Sequence, residues 1–337
     1  MRVNFAAGVA GGSRPCLACR MIKFLRPATL LVALSFPVLQ LGAQSPVLSS
    51  GFGVEGPLQT LVDRAAQAAF DSFRDPQLLP AQLAITLVDL RDPAHPARAS
   101  FRGDVPIYPA SVIKLFYLAA AHRWLEDGKL ADTPELRRAL HDMIVDSSND
   151  ATAYVVDVLS GTTSGPELPG DELKIWFEKR NAVNRYFASL GYTSINANKK
   201  PWGDGPYGRE TQAIALFEPK RNLLTTDATA RLLTEIATGR CVTATRSAEM
   251  RALLSRDPAT TDPDPDNQAK FTGPVLPRGA KLWSKAGWTS QTRHDAAYIE
   301  LPGGAKFVLV VFTTDHAGER EIIRTVAKTV VEGMAAR

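Results

Sequence analysis

The sequence predicts an α/β (α+β) fold in which an antiparallel sheet, built from both chain ends, is flanked by helices. Two strand-like runs lie early in the chain, at 83–90 and 99–101, and three lie late, between 281 and 313. Between them, residues from about 105 to 255 show mainly helical apolar spacing. Strands at both ends can pair in one sheet, so the middle is predicted to be an inserted all-helical subdomain.

The composition is that of an ordinary globular protein, with 337 residues of which 45% are hydrophobic and 22% charged. The formal net charge of +4 arises in residues 1–43, and without them 34 basic residues stand against 35 acidic ones. A near-neutral protein lacks the basic surface that nucleic-acid binding requires. The sequence therefore excludes nucleic acid as a partner.

Residues 1–43 are predicted to form a signal peptide and leader, with Met21 as a candidate true start, and residues 44–57 an N-terminal extension. Two basic residues precede a short apolar run, and small residues just before position 44 offer a cleavage site. A membrane span needs about 20 apolar residues, and this run is shorter. We therefore expect an exported protein, periplasmic or secreted, rather than one held by a membrane anchor.

The catalytic domain is predicted to cover residues 58–337 and to begin with a helix over 58–73, where apolar residues recur at helical spacing. After the first two strands, Pro109 opens an apolar helix that runs to about Trp124. Two short helices are predicted over 133–160, with Thr133 as the N-cap of the first.

The second half begins with a helix predicted over about 172–190, which Gly191 ends. Residues 192–223 are rich in Asn, Lys, Gly and Pro and are predicted to form a long irregular loop, a kind of segment that is usually functional or mobile. Further helices are predicted at 226–238, 245–254 and, after the last three strands, 317–334.

The motif Ser111-Val112-Ile113-Lys114 places a hydroxyl and an amine three residues apart on a predicted helix. A lysine held neutral by burial can take the serine proton and make it a nucleophile. Pro109 places Ser111 in the first turn, where backbone N–H groups suit a developing oxyanion. The alternative is a helix cap beside a surface lysine. Because the surrounding helix is apolar nearly all round, we favour a buried Lys114 acting as the base.

Two later motifs add to this one. Ser147-Ser148-Asn149 lies at a predicted helix junction, and Lys285-Ala286-Gly287 ends a predicted strand. In this order the three resemble the S-x-x-K, S-x-N and K-T-G motifs of class A serine β-lactamases and penicillin-binding proteins. The resemblance covers about residues 55–337. It implies a β-lactamase/transpeptidase-like fold and a serine hydrolase that forms an acyl-enzyme.

The resemblance also implies a role for each matching residue. Ser147 would relay a proton to the leaving nitrogen, Asn149 would hold the substrate amide and position Lys114, and Lys285 would assist Ser147. The backbone N–H groups of Ser111 and Trp288 would form an oxyanion hole. The residues implied in substrate binding are Gly287, Trp288, Thr289, Arg293 and His294, of which either Arg293 or His294 would hold a substrate carboxylate.

Three features depart from the class A pattern. Ala286 stands where K-T-G has a hydroxyl residue, and Ser148 stands where S-D-N has an aspartate. Ser147 follows Ser111 by only 36 positions, fewer than class A sequences usually show. A segment that flanks the cleft is therefore predicted to be missing, which leaves the site more open.

The largest departure concerns deacylation, because no Glu-x-x-Leu-Asn motif is present. The only acids in the stretch 196–217, where that motif should lie, are Asp204 and Glu210. One interpretation is that both are solvated loop acids. The alternative is that Glu210 replaces the missing general base. If neither serves, the acyl-enzyme would hydrolyse slowly, as in penicillin-binding proteins.

Three functions are consistent with these residues. The first is hydrolysis of a β-lactam, the second a D-alanyl-D-alanine peptidase or esterase with the same Ser/Lys site, and the third a non-catalytic cell-wall-binding protein. Each implies a small-molecule or cell-wall peptide partner and a monomer. The histidines show no metal-ligand spacing, so no metal or other cofactor is predicted.

Overall fold

The computed structural model describes residues 56–203 and 205–337, so the predicted leader and nearly all of the N-terminal extension lie outside the described residues. Its six strands form one antiparallel sheet in the order β2-β1-β6-β5-β4-β3. The strands are β1 Leu83–Asp89, β2 Ala97–Phe101, β3 Ser255–Arg256, β4 Lys281–Trp288, β5 Thr292–Glu300 and β6 Lys306–Thr314. The predicted sheet from both chain ends is confirmed.

Ten helices accompany the sheet in the described residues. They are α1 Gly56–Ser72, α2 Lys114–Glu126, α3 Pro134–Ile144, α4 Asn149–Ser160, α5 Gly170–Arg180, α6 Ala182–Ser189, α7 Arg209–Leu216, α8 Thr226–Ala237, α9 Ala244–Leu254 and α10 Glu321–Ala335. Eight of them, α2 to α9, follow one another between β2 and β3, as the inserted helical block was predicted to do. None of the described helices has the length and apolar character to cross a membrane.

The two faces of the sheet have separate cores. On one face, alternate residues of β4, β5 and β6 pack with α1 and α10. On the other face, the alternate residues pack with the helical block around α2. Every residue of β1 is buried, because both faces of this strand are covered. The odd-numbered residues of β4, which include Lys285 and Gly287, face the helical block, and the functional cleft forms there.

Two predicted elements differ from the structure. The helix expected over 172–190 is broken into α5 and α6 at Asn181, whose side-chain oxygen accepts hydrogen bonds from Asn184 and Asn198. Asparagine favours such local bonds over a helix interior. The loop expected over 192–223 contains α7, which is stabilised because Ala213 packs in a small apolar cluster with α5.

Candidate active site

The nucleophile candidate lies in a 3₁₀ turn, Ala110–Ile113, that leads directly into α2. A 3₁₀ turn has three residues per turn, so Ser111 and Lys114 project on the same side. Ala110, just before Ser111, has a left-handed φ of 45°, which is strained for a residue with a side chain. Strain of this kind is common at functional sites and here accompanies the sharp entry into the turn.

Lys114 is fully buried, and its amine hydrogen-bonds to the second motif, Ser147-Ser148-Asn149. Its Nζ donates to the backbone oxygen of Ser147 at 2.6 Å and to Asn149 Oδ1 at 2.9 Å, and lies 3.2 Å from Ser147 Oγ. Among the described hydrogen bonds, none joins Lys114 Nζ to Ser111 Oγ. Such catalytic contacts often tighten only when substrate binds.

The second motif is shaped by the junction between α3 and α4. Ser147 has a left-handed φ of 54°. The hydroxyl of Ser148 accepts a hydrogen bond from the backbone N–H of Ala151 and caps α4. This cap explains why a serine suits the middle position of the motif, and it leaves Ser147 and Asn149 facing Lys114.

Lys285 completes the cluster from the sheet side. Its Nζ lies 3.0 Å from Ser147 Oγ, and its side chain is fully buried. Ser147 Oγ is thus within 3.2 Å of two lysine amines, those of Lys114 and Lys285. The structure therefore brings Lys114, Ser147, Asn149 and Lys285 together beside the turn that carries Ser111.

The two buried lysines have unusual electrostatics. Burial lowers the pKa of Lys114 from its usual value to about 7. Burial, and next the charge of Lys114, lower the pKa of Lys285 well below its usual value. In the described residues, no carboxylate hydrogen-bonds to either amine. Lys114 can therefore be a neutral amine near neutral pH, as a base for Ser111 must be.

The low pKa of Lys114 predicts the pH dependence of acylation. Only the neutral amine accepts a proton, so acylation of Ser111 is expected to rise about tenfold per pH unit below pH 7 and to level off above it. The measurement is the acylation rate with an uncharged ester from pH 5 to 9. A rate that is flat, or that falls with rising pH, would rule out a neutral Lys114 as the base.

Gly287 brings β4 against the backbone of the nucleophile turn. A Cβ at this position would lie 2.7 Å from the nitrogen of Ser111 and 2.8 Å from the nitrogen of Val112. Because these are backbone atoms that cannot step aside, only glycine fits. This contact places the N–H of Ser111 beside the strand that leads to Trp288, as the proposed oxyanion hole requires.

Beyond Ser147 lies a cavity of about 410 Å³ that is lined by Trp288 and by several side chains from the segment 255–269. Trp288 is half-buried and packs on Phe271. The predicted binding residue Thr289 instead forms the turn to β5, with its N–H donating to Thr292 O.

Arg293 and His294, the two candidates for holding a substrate carboxylate, already have partners. Arg293 lies on the α10 face of the sheet, where its Nη1 donates to Asp266 at 2.9 Å. His294 is fully buried behind the nucleophile turn, and its Nε2 lies 2.8 Å from Tyr108 O. Its Nδ1 accepts from the N–H of Thr313, so Nε2 must be the donor. The sequence predicted that one of these two side chains would hold a substrate carboxylate, but neither presents an unpaired charge to the cleft. Burial also lowers the pKa of His294 to about 4.

Glu210 was expected to be either a solvated loop acid or a cleft base, and the structure corrects both interpretations. Its side chain is buried, and its Oε1 accepts from Arg180 at 2.7 Å and from Ser164 at 2.9 Å. Asp157 joins the same network, through Arg180 at 3.1 Å and Lys200 at 2.6 Å. Glu210 lies in the first turn of α7 with its side chain turned inward, so it belongs to a buried ion network of the helical block. Asp204 lies outside the described residues.

Gln268 was not identified from the sequence, although its Oε1 lies 2.6 Å from Lys285 Nζ. It lies in a short 3₁₀ turn, Gln268–Lys270, that carries no motif. No pattern of spacing in the sequence connects it with Lys285, so only the structure shows the contact.

Comparisons with known proteins give a family for the chain. A family model described as "Beta-lactamase enzyme family" matches residues 131–334, more than half of the chain. No curated protein matches the sequence.

Several solved structures have a similar fold. A β-lactamase from Sphaerobacter thermophilus shows 20% identity and a TM-score of 0.59 over 82% of this chain and 98% of its own. PBP-A shows 18% identity and a TM-score of 0.58 over 83% and 98%. A β-lactamase from Chitinophaga pinensis shows 17% identity and a TM-score of 0.57 over 84% and 100%. A mutant of PBP-A has also been solved as an acyl-enzyme complex with penicillin G.

Proposed function

We propose that this chain, which belongs to the beta-lactamase enzyme family and has the fold of these serine hydrolases, forms an acyl-enzyme at Ser111 with β-lactams and releases it slowly. The observation that carries the proposal is the pair of buried lysines on Ser147 Oγ, at 3.2 Å for Lys114 and 3.0 Å for Lys285. Burying two amines side by side is costly for the folded state, and such arrangements are typical of catalytic sites. This favours an enzyme over a non-catalytic binding protein.

In the proposed mechanism, the neutral Lys114 takes the proton of Ser111 while Ser111 Oγ attacks the substrate carbonyl carbon. The oxyanion that forms is stabilised by backbone N–H groups of the turn and of β4. The tetrahedral adduct then collapses and the carbon–nitrogen bond breaks. Ser147 gives its proton to the leaving nitrogen and regains one from Lys114 or Lys285, which leaves an ester on Ser111 and no net change in protons.

The proposal is tested by mass spectrometry of the intact protein after incubation with a penicillin. We expect the mass to rise by one penicillin molecule, and the modified peptide to contain Ser111. The Ser111→Ala protein should gain no mass under the same conditions. Equal modification of the two proteins would refute Ser111 as the nucleophile.

A peptidase or esterase with the same residues is the second candidate, and one contact favours it. Arg293, on the α10 face of the sheet, is paired with Asp266, which also pairs with Arg320 and lines the cavity beside Ser147. Ala286 adds no hydroxyl. Neither the Arg293 side chain nor a hydroxyl at position 286 is therefore available to a substrate carboxylate, which favours uncharged substrates at this end of the cleft.

Replacing Asp266 with asparagine is expected to remove a negative charge from the wall of the cavity beside Ser147. Two like charges about 4 Å apart repel by about 1–4 kcal/mol, so the KM for a penicillin, which carries a carboxylate, should fall about tenfold. An uncharged β-lactam should show no such gain, and neither substrate should respond to Asp71→Asn on α1, an exposed aspartate that pairs with Arg74. If the gain is equal for both β-lactams, the charge of Asp266 does not act on the substrate carboxylate.

A further inference from the structure

Gln268 ties the two halves of the cleft together. Its Nε2 donates to the backbone oxygens of Ile144 at 3.0 Å and Val145 at 2.8 Å, just before Ser147. Its Oε1 accepts from Lys285 Nζ at 2.6 Å and from the N–H of Ala286 at 3.2 Å. A glutamine amide has two donor hydrogens and two acceptor lone pairs, and all four are used here.

The amide has only one possible orientation. If it were turned over, its oxygen would face two backbone oxygens, and its NH₂ group would face the amine of Lys285 and the N–H of Ala286. The side chain is buried, so water cannot relieve such contacts. Oε1 must therefore face Lys285, whatever the protonation state of that lysine.

This orientation fixes the direction of the Lys285 amine. Two neighbours of Nζ, Gln268 Oε1 and Ala286 O at 2.8 Å, are carbonyl oxygens that only accept. The third neighbour is Ser147 Oγ, at 3.0 Å. In the ammonium form, the three N–H groups meet the three oxygens. In the neutral form, two N–H groups stay on the carbonyl oxygens, and the lone pair faces the hydroxyl of Ser147.

We infer that Gln268 is a positioning residue. It orients the Lys285 amine so that the proton which Lys285 can transfer faces Ser147, and through Ser147 the leaving group of the substrate. The inference rests on the proposed acylation of Ser111. As the carbon–nitrogen bond breaks, the Ser147 O–H bond gives its proton to the nitrogen. The ammonium form of Lys285 then transfers the proton of the N–H bond that faces Ser147 Oγ, which restores the hydroxyl, and the electron pair of that bond stays on Lys285 as the lone pair of the neutral amine.

The leaving group distinguishes this role from a purely structural one. An uncharged β-lactam needs a proton on its nitrogen, whereas a p-nitrophenyl ester expels nitrophenolate without one. Gln268→Met removes the acceptor for Lys285 at similar volume. We expect acylation by the β-lactam to fall about 10- to 100-fold, part of what general acid catalysis contributes, and acylation by the ester to change less than about threefold.

Gln212→Met provides the matched control. Gln212 also ties a loop to a helix through its amide, with Oε1 3.0 Å from the nitrogen of Leu168 and Nε2 2.9 Å from its oxygen. It lies on α7, and neither of these contacts involves the motif residues. This variant should keep the wild-type ratio of the two rates, even if its melting temperature falls as much as that of Gln268→Met.

Gln268→Leu gives a second test should the methionine variant not fold. It also removes the acceptor for Lys285, and it places no carboxylate oxygen against the backbone oxygens of Ile144 and Val145. Acylation by the β-lactam should again fall about tenfold, with the ester again spared. Equal losses for both substrates, or no loss for either, would overturn the inference. Failure of the ester to label Ser111 in the wild type would instead refute the proposed function, and the inference with it.

Discussion

Replacing Lys114 with methionine is expected to slow acylation of Ser111 by about three orders of magnitude. Removing a general base typically costs 10²–10⁴-fold in rate. Methionine retains much of the buried volume but cannot accept a proton. The expected result is a low acylation rate with an uncharged ester that no longer changes near pH 7. Stopped-flow measurement of nitrophenolate release gives this rate directly.

The variant also leaves Ser147 O and Asn149 Oδ1 without the donor that they share, so the protein should lose stability as well. Thermal melting must show that the variant is folded at the assay temperature. Lys174→Met, on the exposed surface of α5, is the control and should acylate like the wild type. If Lys114→Met keeps its rate within tenfold, another group is the base, and Lys285 becomes the first residue to test.

The fold, and the convergence of the three motifs, could be predicted from the sequence because both depend on local patterns. Strand and helix periodicity located the elements that form the sheet and the helical insertion. The motif of Ser111 and Lys114 needs only one turn of helix to bring its groups together. The glycine of the third motif has a purely local meaning too, since only a residue without a Cβ can approach the turn this closely.

The sequence could not predict contacts that depend on which distant segments meet. Arg293 meets Asp266 and Lys285 meets Gln268 only because the segment before β4 folds over the end of the sheet. Glu210 is a similar case, since its meaning depends on Arg180, which belongs to a different helix. A glutamate in the sequence can be either a solvated loop acid or a buried ion partner. Only the packing of α7 on α5 shows which of the two Glu210 is.

Deacylation is the step for which the buried position of Glu210 has the largest consequence. A base for the attacking water would have to lie beside Ser111, yet in the described residues no carboxylate hydrogen-bonds to Ser111, Lys114 or Ser147. Loss of a general base slows a step by about 10²–10⁴-fold. We therefore expect the penicilloyl form of the wild type to persist for minutes or longer, as followed by mass spectrometry after removal of free penicillin.

Glu210→Gln tests whether this carboxylate has any part in turnover. The substitution removes one of two negative charges that face the buried Arg180 and Lys200, and breaking such a network costs about 3 kcal/mol. The melting temperature should fall by about 5 °C, whereas Glu218→Gln, an exposed control, should hardly change it. The lifetime of the acyl-enzyme should be the same in all three proteins, because Glu210 is bound within the network and does not reach the ester.

A lifetime that lengthens in Glu210→Gln alone would make Glu210 the deacylation base. Rapid turnover of penicillin that is unchanged by the substitution would require a base outside the residues named here.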